Sequence, residues 1–97
     1  MARIVYSENA VNNLQRAFAR LREISPSIAM EAAEVITQAI ETLEQHPLIG
    51  RYVRDEIREL VISYGKHGYV ALYRFIPGRD IVRILAIRHQ LELDYPV

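Results

Sequence analysis

Apolar positions change their period near the middle of the chain. Up to His46 they recur every three or four residues, and from Arg58 onward they alternate or run together. In the first half, Ala10, Leu14, Ala17, Phe18 and Leu21 mark one face of a helix over about 8–22. Ser7 stands before it as an N-cap, with Glu8 at the positive end of the helix dipole. Ile28, Ala32, Val35, Ile36, Ala39 and Leu43 mark a second helix. Ser25 is its cap and Pro26 its first residue, where the missing amide is harmless; the helix is stopped at His46-Pro47. Ala29, Met30, Ala33 and Ile40 widen this second stripe beyond what one partner needs. The joint is short, so the two helices are expected to form an antiparallel hairpin.

Outside the helices, Arg3–Tyr6 reads as a short strand. Arg58–Ser63, Tyr69–Ile76 and Ile81–Arg88 are rich in Val, Ile, Tyr and Phe and are separated by breaks that contain Gly; they read as a three-strand antiparallel meander. Along the middle run, Val70, Leu72, Arg74 and Ile76 fall on one face, and Tyr69, Ala71, Tyr73 and Phe75 on the other. Both sets are largely apolar, so this strand is expected at the centre. Strict alternation would group Val82, Ile84, Ala86 and Arg88 against Ile81, Arg83, Leu85 and Ile87. The stretch Pro47–Ile57 has no clean period and reads as a loop, with Tyr52 and Val53 expected against the core. The expectation is an α+β fold: a strand, a two-helix hairpin and a three-strand meander, giving a four-stranded antiparallel sheet in a single domain over residues 1–97.

Composition narrows the chemistry. No cysteine is present among the 97 residues, so disulfides and thiolate chemistry are excluded. The N-terminus carries no apolar run with a cleavage site and no window resembles a membrane span, so a cytoplasmic protein with no membrane partner is expected. Net charge is zero but unevenly placed. Residues 51–90 carry eight Arg or Lys against four Asp or Glu, and the first fifty carry four against six. Eleven of the twelve basic residues are arginine, whose planar fork pairs with carboxylate or phosphate. Arg54, Arg58, Arg74, Arg83 and Arg88 are therefore candidate partner-binding residues, along with the surplus apolar Met30, Ala33 and Ile40. The plainer alternative is that these arginines only solubilise a small domain.

There is no Gly-rich phosphate loop, no HExxH and no cluster at metal-ligand spacing, so neither metal nor cofactor is expected. One constellation offers chemistry: Arg88-His89-Gln90 with Glu92 and Tyr95. His89 can move a proton near neutral pH, Arg88 can neutralise a phosphate and Tyr95 can stack on a base, which are the roles metal-free RNA cleavage requires. The same residues also read as a structural end to the sheet, with Arg88 and Glu92 paired, His89 terminating the strand and Tyr95 on its edge. On the residues alone that second reading is preferred.

Three segments in order, HPLIGR (46–51), RELVISYGKHGYVALYRF (58–75) and VRILAIRHQLELDY (82–95), resemble the RelE/ParE superfamily of bacterial type II toxins. Its pattern is a Pro-Gly-Arg loop, an Arg-Glu-Leu strand, a Gly-Tyr…Leu-Tyr-Arg strand and a last strand ending in Arg-His-Gln. The resemblance covers essentially the whole chain. It implies a toxin neutralised by a cognate antitoxin in a hetero-oligomer, with the antitoxin wrapping an acidic segment around it. RelE-like members cut mRNA on the ribosome and place an Arg just before the Leu/Val-x-Tyr pattern, where this chain has Val70. ParE-like members resemble it in YVALYR (69–74) and inhibit DNA gyrase. The resemblance thus implies gyrase inhibition by protein contact, with mRNA cleavage through Arg88, His89 and Tyr95, or a non-toxic binding module, as alternatives.

Overall fold

The protein, in a computed structural model, is described for residues 1–64 and 67–90. Strand β1 (Arg3–Tyr6) leads through Ser7 into helix α1 (Glu8–Ile24), and Ser25 alone separates α1 from α2 (Pro26–Glu41). Both serines cap as expected: Ser7 Oγ accepts from the Ala10 amide at 3.0 Å, and Ser25 Oγ from the Ile28 amide at 3.5 Å. Helix α2 ends earlier than the proline implies. The chain tightens into a 3-10 turn at Thr42–Glu44, where the Thr42 hydroxyl donates to the Ala39 carbonyl.

Four strands follow: β2 (Arg51–Arg54), β3 (Ile57–Tyr64), β4 (His67–Ile76) and β5 (Ile81–His89). The sheet order is β1-β5-β4-β3-β2. β4 is central as expected, but the sheet has five strands and is mixed. β1 runs parallel to β5, and β2 occupies residues read from sequence as loop. β2 was hidden because charge fills it at both ends and its connection to β3 carries no Gly. Asp55 and Glu56 form that two-residue turn at φ 48° and 63°, the positive values a tight hairpin demands and Gly or Asn normally supplies. Tyr52 and Val53 are exposed here, not tucked against the core, because the helices stop short of this edge strand.

The hairpin covers one face. Ile36, Ile40 and Leu43 meet Ile62, Tyr69, Ala71, Tyr73, Val82 and Ile84 in a continuous core, with Ala10 and Ala32 allowing close approach. Ile40 is fully buried, which removes it from the partner surface expected for it: helix α2 turns this residue into the core it shares with β3 and β4.

The register of β5 departs from strict alternation. Leu72 pairs with Ala86 and Tyr73 with Ile84, leaving Leu85 as an extra residue, a β-bulge. Val82 and Ile84 face the helices before it; Ile87 faces them after it, and Ala86 and Arg88 are turned to the open face. The bulge lies where β1 has ended, and α1 takes over its backbone groups. Ser7 Oγ and Asn9 Nδ2 both donate to the Leu85 carbonyl at 3.1 Å, and the Ile87 amide donates to Asn13 Oδ1 at 2.9 Å. Asn13 is buried, and among the described residues its Nδ2 finds no acceptor.

Candidate functional site

The face of the sheet turned away from the helices is read row by row from the strand register. One row runs Arg54–Ile57–Arg74–Arg83–Val5, the next Arg51–Glu59–Leu72–Ala86, and a third Val61–Val70–Arg88. The first row therefore gathers three of the five arginines singled out from the sequence. Arg74 and Arg83 are direct cross-strand partners, a like-charge pairing that weakens a sheet unless something anionic sits on it. Arg74 donates to the Asp55 carbonyl at 3.2 Å, which also steadies the β2–β3 turn. Among the described residues no ion pair engages Arg54, Arg74 or Arg83, whereas Arg51 is bonded to Glu59. Between the charges lie Leu72, Val70 and Ala86, with Val61 65 % exposed. Of these Val70 and Ala86 are buried and Leu72 half-buried, so Val61 and the row of guanidinium groups are what this face exposes.

The other expected residues separate from this group. Arg58 lies on the helix side of β3. Its Nη1 donates to the carbonyls of Gly50 at 2.9 Å and Leu48 at 3.2 Å, and its guanidinium lies 5.8 Å from the centre of the Tyr52 ring. It is thereby engaged in holding the loop before β2. Met30 is 69 % exposed and Ala33 half-buried on α2, near the far end of β3, where the Tyr64 hydroxyl donates to Glu31 at 2.8 Å. That bond to a carboxylate raises the Tyr64 pKa.

Arg88 and His89 do not converge. Arg88 pairs with Val70 on the open face, and its Nη1 donates to the carbonyls of His89 at 3.3 Å and Gln90 at 3.4 Å. His89, the next residue along, lies on the opposite side against the Tyr69 ring, with centroids 5.3 Å apart and planes at 79°. Glu92 and Tyr95 lie outside the described residues. No group of three His, Cys, Asp or Glu is placed to hold a metal ion among the described residues, and no helix there is long and apolar enough to cross a membrane.

A family model described as the ParE toxin of type II toxin-antitoxin system, parDE, matches residues 4–93. The chain belongs to this ParE toxin family. Relatives carry RelE names as well. Toxin RelE3 of Caulobacter vibrioides is 46 % identical over 68 residues, 70 % of this chain and 72 % of that one. Toxin RelE1 of the same organism is 29 % identical over 89 residues, 92 % of this chain and 94 % of that one. The fold is similar to that in the chromosomal ParDE TA system from P. aeruginosa, with a TM-score of 0.74 at 22 % identity over 92 % of this chain and 96 % of that chain. It is also similar to that in the intact E. coli RelBE toxin-antitoxin complex, at 0.61 and 12 % over 90 % and 94 %.

Two of the three segments that resemble the superfamily, 46–51 and 58–75, meet in this ParE-family chain as architecture. Gly50, from HPLIGR, donates its amide to the Tyr73 hydroxyl, from YVALYR, at 2.9 Å in the core. A Cβ at Gly50 would stand 2.6 Å from the Tyr73 ring and 2.7 Å from the Glu59 carbonyl, so no side chain fits. Arg58, from the Arg-Glu-Leu strand, closes the arrangement through its two carbonyl contacts. Burial raises the Tyr73 pKa, with the Gly50 amide and the Arg58 charge working against it. Two features escaped the sequence reading. Asn13 shows there as a polar residue inside the apolar stripe of α1. Leu48 and Ile49 show as an apolar pair beside Pro and Gly, and the Gly50 and Arg58 contacts leave them 58 % and 60 % exposed.

Proposed function

We propose that this ParE-family toxin arrests growth by binding DNA gyrase through protein contact and is neutralised by a cognate antitoxin. The observation that carries the reading is the opposed placement of Arg88 and His89. Consecutive residues of a regular strand address opposite faces, so a proton donor at His89 and a phosphate-binding charge at Arg88 do not meet on one scissile phosphate. Val70 deepens this. At the position where RNase relatives place an arginine, the open face holds a buried valine, and with it goes transition-state charge stabilisation, the largest contribution in most such reactions. What this face exposes suits protein contact: Val61 with Arg54, Arg74 and Arg83 in a row.

That row also suits an acidic antitoxin segment, and the ParDE and RelBE systems with similar folds are toxin-antitoxin systems by description. Reversing Arg54, Arg74 and Arg83 together should weaken antitoxin affinity; unchanged binding rejects this part of the reading. The RelE names of two relatives favour a second reading, mRNA cleavage. Purified toxin added to gyrase supercoiling and, separately, to translating ribosomes separates the two. Inhibited supercoiling with intact mRNA supports the gyrase reading, and codon-positioned cuts with supercoiling untouched support the nuclease.

A further inference from the structure

The segment Pro47–Arg54 is built for contact in a way neither the core nor the arginine row explains. Leu48, Ile49, Tyr52 and Val53 are 58, 60, 52 and 40 % exposed within six residues of chain. Leu48 and Ile49, with His46 and Pro47, line an apolar cleft of about 380 Å³. The cleft is shallow and open to solvent, a surface depression on which a bulky apolar side chain can rest.

The loop is held from beneath. Arg58 takes up the Leu48 and Gly50 carbonyls, Tyr73 accepts from the Gly50 amide, and the Ile49 amide donates to the His46 carbonyl at 3.1 Å. A partner therefore meets a loop whose backbone is already held, and less backbone ordering entropy is lost on binding. β2 continues the patch as the outermost strand, hydrogen-bonded on its β3 side. Val53 is unmatched across β3, a bulge that restricts further strand pairing to a few residues. Affinity must then come mainly from side chains. At the end of the patch is Arg54, exposed and, among the described residues, engaged in no ion pair, including with Asp55 and Glu56 of the turn.

We propose that Pro47–Arg54 is the surface by which the toxin grips its target protein. It takes a short extended segment carrying one bulky apolar side chain for the cleft and a carboxylate for Arg54. The inference rests on the protein-contact reading above and extends that contact from Arg54 of the open face onto the sheet's edge, naming its chemistry. The patch lies on the sheet's edge, at the opposite end of β3 from Met30 and Ala33, and joins the open face only at Arg54.

The test uses the full-length chain with Leu48→Asp and Ile49→Asp combined; both positions are exposed, and the fold is checked by circular dichroism. Ile24→Asp, an equally polar change at an exposed position (67 %) at the end of α1, is the control. Two apolar anchors of this kind contribute about 2 kcal/mol or more to binding, so the double variant should inhibit supercoiling ~30-fold less potently and lose growth arrest. Antitoxin affinity should stay within about threefold. Arg54→Glu, which leaves the loop untouched, should cost about tenfold in potency. Undiminished potency in the double variant overturns the proposal. So does a parallel loss of antitoxin affinity, which would give the surface to the antitoxin. If the wild-type toxin leaves supercoiling untouched, the gyrase reading fails on its own, and the patch is judged by growth arrest: arrest undiminished in the double variant rejects it, and arrest lost with antitoxin binding kept supports it.

Discussion

Alternate residues of β4 live in two environments. Tyr69, Ala71 and Tyr73 are buried under the helix hairpin, and Tyr73 closes the hydrogen bond that pins Gly50. Val70, Leu72 and Arg74 lie on the other face with the arginine row and an exposed Val61; there Val70 is buried, Leu72 half-buried and Arg74 exposed. One strand thus carries both the residues that make the fold recognisable and those that decide what the fold does. Likeness on the covered side says that a chain is built as a ParE or RelE toxin. On the reading proposed above, the open side and the edge distinguish contact from cleavage, and there Val70 and Arg88 weigh more than the motif as a whole.

The contrast predicts a gradient of effects. On the covered side, Ile36→Ala should destabilise by about 2–5 kcal/mol in a denaturant titration, because Ile36 is fully buried and the site can collapse only in part. Tyr73→Phe should cost about 1–3 kcal/mol, since the buried Gly50 amide loses its acceptor. Titration with alkali reads the same contact. Burial raises the pKa of Tyr73, and burial together with the Glu41 charge raises that of Tyr6, so the fold favours the neutral phenols. Their contribution is intact below the ordinary tyrosine value of 10.0 and is lost as pH climbs past it toward the raised values. Stability should therefore fall above pH 10.0, less steeply in Tyr73→Phe, as followed by circular dichroism.

On the open side the sign changes. Arg83→Glu replaces a like-charge cross-strand pair with an opposite one and should stabilise the free toxin by about 0.2–1 kcal/mol while weakening its hold on an acidic antitoxin. A melting curve and a binding isotherm on the same variant check both halves, and a destabilised variant would contradict the row as drawn. At the β2–β3 turn, Glu56→Gly should stabilise by about 0.5–1 kcal/mol, since Glu56 sits at φ 63° where glycine is unstrained.

Much of the fold is legible in the sequence because the helical stripes are well punctuated and the last three strands are strongly apolar. Ser7 and the Ser25-Pro26 pair mark the helix starts, and two largely apolar sets of alternate residues mark β4 as central without saying which set the helices cover. What escapes is set by contacts distant in sequence. The bulge at Leu85 depends on where β1 ends and on Ser7, Asn9 and Asn13 of a different element, so alternation along β5 alone assigns Ala86 and Arg88 to the same side as Ile84. β2 exists because β3 offers it an edge; its own residues Arg51 and Arg54 read as loop. Ile40 reads as surplus on a helical wheel and is buried because α2 lies over β3 as well as against α1. For the site, Arg54, Arg74 and Arg83 are found from charge alone, but their alignment in one row follows from strand register, and so does the separation of Arg88 from His89.

That separation is the centre of the functional account, and supercoiling by purified gyrase in the presence of wild-type toxin or His89→Ala tests it most directly. With both proteins confirmed folded, the account predicts inhibition by each at concentrations within about threefold, because His89 packs on Tyr69 away from the contact surfaces. Supercoiling unaffected by either protein, with ribosome-bound mRNA cut by the wild type and spared by His89→Ala, would contradict it.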